Sequence, residues 1–222
     1  MKSIQDTNRE LWSWEFSKNV LLYPDDRVAA MVLKHLGPNP GNALDIGCGS
    51  GRHLRLMADC GYQAYGIDIV DTAVKYSESL KKQYPNIRHV YLKEILNYNP
   101  DIKFDLILAW GVLFLSRKHE IRARLNKINS FMNPGAALIC NFRTYDNWFY
   151  GLGREIERGF FILDDRAGPY SEMYYHFFKP EEVNELLKEA GFDIRSTEYL
   201  QLYKNNMKEK NSWYITYVIK QS

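Results

Sequence analysis

"ALDIGCGSGRHL", residues 43–54, decides how the rest of the chain is read. An apolar run breaks into three alternating glycines, Gly47, Gly49 and Gly51, and a helical pattern follows. A buried strand that ends in glycines is a place where a ligand can approach the backbone. The dinucleotide fingerprint needs a further glycine or alanine where Arg52 stands, and the lysine of a phosphate-binding P-loop is also missing. The flanking residues therefore have to identify the ligand.

Outward from this stretch, short apolar runs alternate with amphipathic ones. "NALDIG" reads as a strand, and "GRHLRLMADC" as a helix with Leu54, Met57 and Ala58 on one face. "YQAYGIDI" is a second strand, followed by a helix over "DTAVKYSESLKKQYP" with Asp71 or Thr72 as its cap. "IRHVYL" and "FDLILAWGVLFL" give strands three and four. The helix "KHEIRARLNKINSFMNPG" ends at Asn133-Pro134-Gly135, and "AALICNF" is strand five. Strands separated by helices imply βαβ units, so a parallel sheet with helices on both faces is expected. After the helix "KPEEVNELLKEAGF", with Pro180 in its first turn and Gly191 at its end, come two β-rich runs joined by "KNNMKEKN". That connection suits a hairpin and is too short for a helical crossover, so the last strand should be antiparallel.

Two segments fall outside the alternation. Residues 1–37 read as an N-terminal helical cap broken around Tyr23-Pro24, and residues 143–178 as a long aromatic-rich insertion after strand five. Connections of that length in a compact domain are usually functional. The 222 residues are expected to form a single domain, 45% hydrophobic and 25% charged. A net charge of +2 gives no electrostatic reason to expect nucleic acid or a membrane as partner. Cys48, Cys60 and Cys140 lack disulfide or zinc spacing, no apolar leader opens the sequence, and no metal is expected. A cytoplasmic protein, monomer or homodimer, follows as the default.

Asp45 lies two residues before the first glycine, where a carboxylate would repel a phosphate but suits an ammonium group. Asp68 ends strand two, where an acid accepts hydrogen bonds from ribose hydroxyls. A nucleoside joined to a cationic amino-acid-like group meets both conditions, and S-adenosylmethionine is such a molecule. "LDIGCGSGRHL" resembles motif I of the class I S-adenosylmethionine-dependent methyltransferases, and "YGIDI" resembles their ribose-binding segment. "FDLILAWGVLFL", "NPGAALI" and "KPEEVNELLKEAGF" are similar to later segments of that family, in the right order over about residues 40–220. The resemblance implies a Rossmann-like α/β fold with a seven-stranded sheet, mostly parallel with an antiparallel last strand.

It also implies that Asp45, Gly47, Cys48 and Gly49 hold the methionine end of the cofactor, with Gly51 starting the next helix. By the same resemblance Asp68 meets the ribose and Ile69 covers the adenine, which Glu94 and Ile95 flank. Ala109 and Trp110 match positions whose carbonyl meets the ammonium, and S-adenosylhomocysteine would be the product. Trp14, Tyr23, Arg143 and Tyr175 are substrate-binding candidates. Arg143 either clamps an anionic group of the acceptor or pairs with Glu155 or Glu157. If an O-acceptor needs a base, His176 and Tyr145 are the candidates. The aromatic insertion suits a small-molecule acceptor, and the "NxxY/F" tetrad of base and glutamine methylation is replaced by "AWGVLF" after strand four. "YPDDRVAAMVLKHL", "WGVL" and "DNWFYGLGREIE" resemble bacterial methyltransferases of sugar and surface-polysaccharide biosynthesis. A cofactor-binding protein without transferase activity, and a methyltransferase of nucleic acid or protein, stay open as alternatives.

Overall fold

The computed structural model describes residues 3–38 and 40–221; residues 1, 2, 39 and 222 of the expected single domain lie outside the described set. The strands are β1 (Asn42–Ile46), β2 (Gln63–Asp68), β3 (Ile87–Leu92), β4 (Phe104–Ala109), β5 (Met132–Thr144), β6 (Gly153–Glu157), β7 (Phe160–Leu163), β8 (Tyr174–Phe178), β9 (Phe192–Lys204) and β10 (Glu209–Lys220). The helices are α1 (Ile4–Lys18), α2 (Asp26–Lys34), α3 (Arg52–Asp59), α4 (Asp71–Ser79), α5 (Lys118–Ser130) and α6 (Pro180–Glu189).

β3, β2, β1, β4 and β5 run parallel in that spatial order. β10 lies antiparallel against β5, and β9 closes the sheet against β10. The sheet is apolar on both faces, as a parallel sheet under helices must be. Leu44 and Ile46 of β1 join the cluster containing Ile121, Leu125 and Ile128 of α5. Ala43 belongs to the opposite cluster, with Val28 of α2 and Leu54 and Met57 of α3. Burying side chains of that size stabilises by roughly 1.5–3 kcal/mol each. No helix among the described residues is long and apolar enough to cross a membrane.

Three features differ from the expectation. The insertion adds strands: β6, β7 and β8 form an antiparallel meander, so the sheet system has ten strands rather than seven. The physical reason lies in β5, which outruns β4. Ala109 ends β4 opposite Cys140, which leaves an unpaired edge beyond it, and β8 fills that edge through Arg143↔Phe177 and Thr144↔Phe178. The polar run Asn133-Pro134-Gly135 does not end α5 but opens β5, with Gly135 at φ +75° where the register with β4 shifts. Neither Asp71 nor Thr72 caps α4. The residue before that helix is Val70, whose N–H donates to Asp68 Oδ1 at 2.9 Å. A side chain from the end of β2 thus replaces the local cap.

Candidate active site

The carboxyl ends of β1, β2, β4 and β5 open into a cavity of about 520 Å³, covered by α1 and the tip of the β9–β10 hairpin. Ligands in open α/β sheets sit at this end of the strands.

The three glycines of the β1–α3 turn have different tasks. Gly47, Gly49 and Gly51 all have positive φ (72°, 52° and 69°). The Gly47 and Cys48 N–H groups donate to Ile67 O at 2.8 and 3.1 Å and fold the turn over β2. A Cβ on Gly47 would collide with Val112 Cγ1, and one on Gly51 would press on Leu80 Cδ1 and Ser77 Oγ. These two glycines allow close packing. A Cβ on Gly49, or on Gly111 after β4, would meet nothing within 4 Å, and both residues line the cavity. The bare backbone there leaves room for a ligand.

Asp68 also lines the cavity, with its carboxylate oriented by two backbone donors, Gly49 N at 2.8 Å and Val70 N at 2.9 Å. Burial raises its pKa, and these N–H groups oppose the rise. The Ile69 backbone adds a further contact, and the carboxylate keeps lone-pair capacity for a hydroxyl donor. Asp45 is buried behind the turn rather than in the cavity wall, and its Oδ2 has no partner among the described residues. Burial pushes its pKa up to about 8, helped by Asp68 and opposed by Arg52. His53 Nδ1 lies 3.8 Å from that oxygen. The contact is not an ion pair, because burial and Arg52 hold His53 neutral, with its pKa down to about 3. Its Nε2 accepts from Asp25 N at 3.3 Å and ties the start of α2 to α3.

Cys48, Ile69, Glu94, Ile95 and Trp110 all line the cavity, and burial pushes the Cys48 thiol pKa up, which keeps it unreactive. Glu94 is already engaged: Oε1 accepts from Arg124 Nε at 3.0 Å and Oε2 from Leu96 N at 2.6 Å. Ala109 is fully buried in β4 and, like Gly51, is not part of the wall.

The acceptor-side candidates divide. Arg143 lines the cavity. It pairs with neither Glu155, which accepts from Gly159 N, nor Glu157, which pairs with Arg117. Tyr175 is buried behind it, with its ring 4.2 Å from the guanidinium carbon. Trp14 is 45% exposed and Tyr23 82% exposed, and neither faces the cavity. His176 is not at the site either. It is buried in β8, stacked on Phe178 at 4.3 Å, with Nδ1 3.3 Å from Ser116 O. Burial lowers its pKa to about 4, so it is a weak base without access to the cavity. Tyr145 packs on Tyr150 outside the wall, and burial raises its pKa. The expectation that these two residues face the acceptor is corrected by their packing into the β6–β8 meander.

A family profile described as a methyltransferase domain matches residues 16–197. The chain belongs to this family. Its fold is that of the Rossmann-like class I enzymes. Among solved structures, it superposes on 1,6-didemethyltoxoflavin-N1-methyltransferase of Burkholderia thailandensis, with bound 1,6-didemethyltoxoflavin and S-adenosylhomocysteine, with a TM-score of 0.74 at 16% identity, covering 100% of this chain and 92% of that one. Magnesium protoporphyrin IX methyltransferase of Synechocystis, with bound S-adenosylmethionine, gives 0.68 at 15% identity, covering 100% and 99%. By sequence, a tRNA U34 carboxymethyltransferase of Haemophilus influenzae is 34% identical over 112 residues, 49% of this chain and 34% of that protein. The chain spans about a third of the length of the curated relatives it matches.

This methyltransferase domain has cavity-lining residues that its sequence did not single out. α1 turns Gln5, Asn8, Trp12, Glu15 and Phe16 toward the cavity, the spacing of one helical face, and Asn19 just beyond its end joins them. Asn141 is 2% exposed and its Oδ1 accepts from Gly111 N at 2.7 Å, which fixes the turn after β4. An asparagine inside "ALICNF" was the available signal, since a polar residue in a buried strand needs a partner. Among the described residues no group of three or more His, Cys, Asp or Glu is placed to hold a metal.

Proposed function

We propose that this methyltransferase uses S-adenosylmethionine to methylate an N or O atom of a small-molecule acceptor, with a sugar or surface-polysaccharide precursor as the class to test first. One observation carries the cofactor reading. Gly49 and Gly111, each with open space at its Cβ position, line one cavity with the backbone-oriented carboxylate of Asp68. Bound S-adenosylmethionine supplies a methyl group on a sulfonium, an intrinsically good leaving group.

The chain's residues would bind, orient and exclude water. Asp68 would accept from the ribose hydroxyls through its remaining lone pairs. Ile69 and Ile95 would flank the adenine, with Glu94 at its edge. Gly47, Cys48, Gly49 and the carbonyl of Trp110 would hold the methionine end, and a cation over the turn would favour the ionised form of Asp45. Glu15 on α1 lines the cavity and makes no hydrogen bond or ion pair through its side chain to another described residue. It is therefore the carboxylate available to accept an acceptor's proton.

The tRNA-modifying relative supports a second reading, in which the acceptor is a nucleic acid base. The small-molecule reading is supported by the cover that α1 places over the cavity and by the near-neutral charge of the chain. Isothermal titration with S-adenosylmethionine and S-adenosylhomocysteine tests the cofactor, and absence of binding by both removes the proposal. Asp68→Ala should weaken binding at least tenfold, about 1.4 kcal/mol. Radiolabelled methyl transfer to sugar nucleotides, amines and small acids on one side, and to bulk tRNA on the other, separates the two acceptor classes.

A further inference from the structure

Arg143 is 7% exposed, near the end of β5, and forms part of the cavity wall. Four aromatic rings enclose its guanidinium: Trp213 at 4.1 Å, Tyr175 at 4.2 Å, Phe114 at 4.9 Å and Phe149 at 5.0 Å. Nη1 donates to Asn147 Oδ1 at 3.3 Å and the guanidinium also meets the Tyr175 hydroxyl, while Nε is buried without a hydrogen-bond partner among the described residues. No carboxylate among the described residues forms an ion pair with it; the two glutamates nearby in sequence are engaged elsewhere, as described above. A buried cation without a counter-charge is costly, and ring faces offset only part of that cost. An anion that enters the cavity would supply the counter-charge that Arg143 lacks.

The sheet register places this group away from the glycine turn. Ile46 is level with Ala109, and Ala109 with Cys140. Arg143 therefore lies three residues further along and two strands across, roughly 10 Å in each direction. Arg52 is the arginine adjoining the turn itself. We propose that the part of the Arg143 guanidinium reaching the cavity recognises a carboxylate on the methyl acceptor, so that the substrate class is an acid. The inference rests on the acceptor side of the proposed methyl-transfer reaction. The surrounding rings make the setting apolar, and the planar N–H donors of a guanidinium there suit a planar singly charged carboxylate, whose desolvation costs less than that of a hydrated phosphate dianion.

The test is calorimetric titration of the full chain loaded with S-adenosylhomocysteine, using paired probes: benzoate against benzamide, glucuronate against glucose, and phenyl phosphate. At least one acid should bind ten times or more tighter than its neutral partner. Arg143→Met should remove that preference, and Arg143→Lys, which keeps the charge but not the planar edge, should reduce it. No preference for either acid, absence of all binding included, overturns the proposal. So does an acid affinity kept by both variants, or tighter binding of the phosphate. If affinity for S-adenosylhomocysteine drops in step in both variants, the anion is the cofactor's own and the proposal fails. If the wild type does not bind S-adenosylhomocysteine but binds acids through Arg143, the cofactor reading fails and the carboxylate site stands.

Discussion

Gly47 and Gly49 lie two residues apart with the same left-handed backbone, yet alanine should affect them differently. A non-glycine residue in that region costs about 1–2 kcal/mol. At Gly47 the Val112 collision adds to that strain, so Gly47→Ala should lower the melting temperature more than Gly49→Ala. At Gly49 the new methyl group enters open cavity, so Gly49→Ala should weaken S-adenosylhomocysteine binding at a smaller loss of stability. Calorimetric melts beside titrations check both parts, and equal melting temperatures would contradict the division of labour. Asp45 gives a pH signature. Its folded pKa of about 8 lies above the ordinary carboxyl value of about 3.9, so the folded chain holds a proton that the unfolded chain has lost. Stability contributed by the neutral form is present at low pH and lost as pH rises through that window. The wild-type melting temperature should therefore fall more between pH 6 and 9 than that of Asp45→Asn, and parallel curves would refute the buried-carboxyl account. At this scale the sequence was legible where structure is local: Asp68 ends β2, and the three glycines form the turn between β1 and α3. Trp14 and Tyr23 were not legible, because aromatic content does not say which helix face or loop side is covered.

The misread elements share a cause. α1 presents Gln5, Asn8 and Glu15 to the cavity beside Trp12 and Phe16, a mixed face that apolar periodicity does not single out. The β6–β8 meander read as a loop because β6, "GREIE", is charged and both β7 and β8 are buried on successive residues, without alternation. Its pairing depends on the unpaired edge of β5, which only the folded register creates. β1, β2, β4 and β5 were legible because long buried runs and intervening helices leave few alternatives, and β3, buried only at Ile87 and Val90, because it falls between two helical segments. The meander is fastened to the turn after β4 by His176, whose Nδ1 faces Ser116 O. With its folded pKa lowered to about 4 against an ordinary value of about 6.5, His176 contributes stability that is present above pH 6.5 and lost as pH falls toward 4. His176→Phe should stack between Phe160 and Phe178 and flatten part of the acid-side loss of melting temperature. Only part should go, since His53 shifts in the same direction. An unchanged acid slope would assign the loss elsewhere.

Across the whole molecule, the cofactor turn and its cover are linked mechanically. Ser50 Oγ donates to Leu21 O, Arg55 to Leu22 O, and His53 Nε2 accepts from Asp25 N, so the segment between α1 and α2 rests on the glycine turn and α3. α1 is held further by Asn8 Nδ2 to Leu115 O at 3.2 Å and by the edge contact of Phe16 with Tyr76 at 5.9 Å. The stretch between the helices has no regular structure, and Leu21, Leu22 and Tyr23 are exposed at 47%, 47% and 82%, so it should be the first site of proteolytic cleavage. A ligand that binds only the folded state at a hundred times its dissociation constant adds about 2.7 kcal/mol. For a chain of this size that corresponds to a melting-temperature rise of roughly 5–11 °C. S-adenosylhomocysteine at that ratio should produce such a rise and also slow cleavage between α1 and α2, because occupying the cavity favours the docked cover. Asp68→Ala, with its affinity at least tenfold lower, should lose about half or more of both effects at the same ligand concentration. A thermal shift without protection of the 19–25 stretch would show that the cover closes independently of the ligand, and α1 would then be a fixed wall of the cavity rather than its lid.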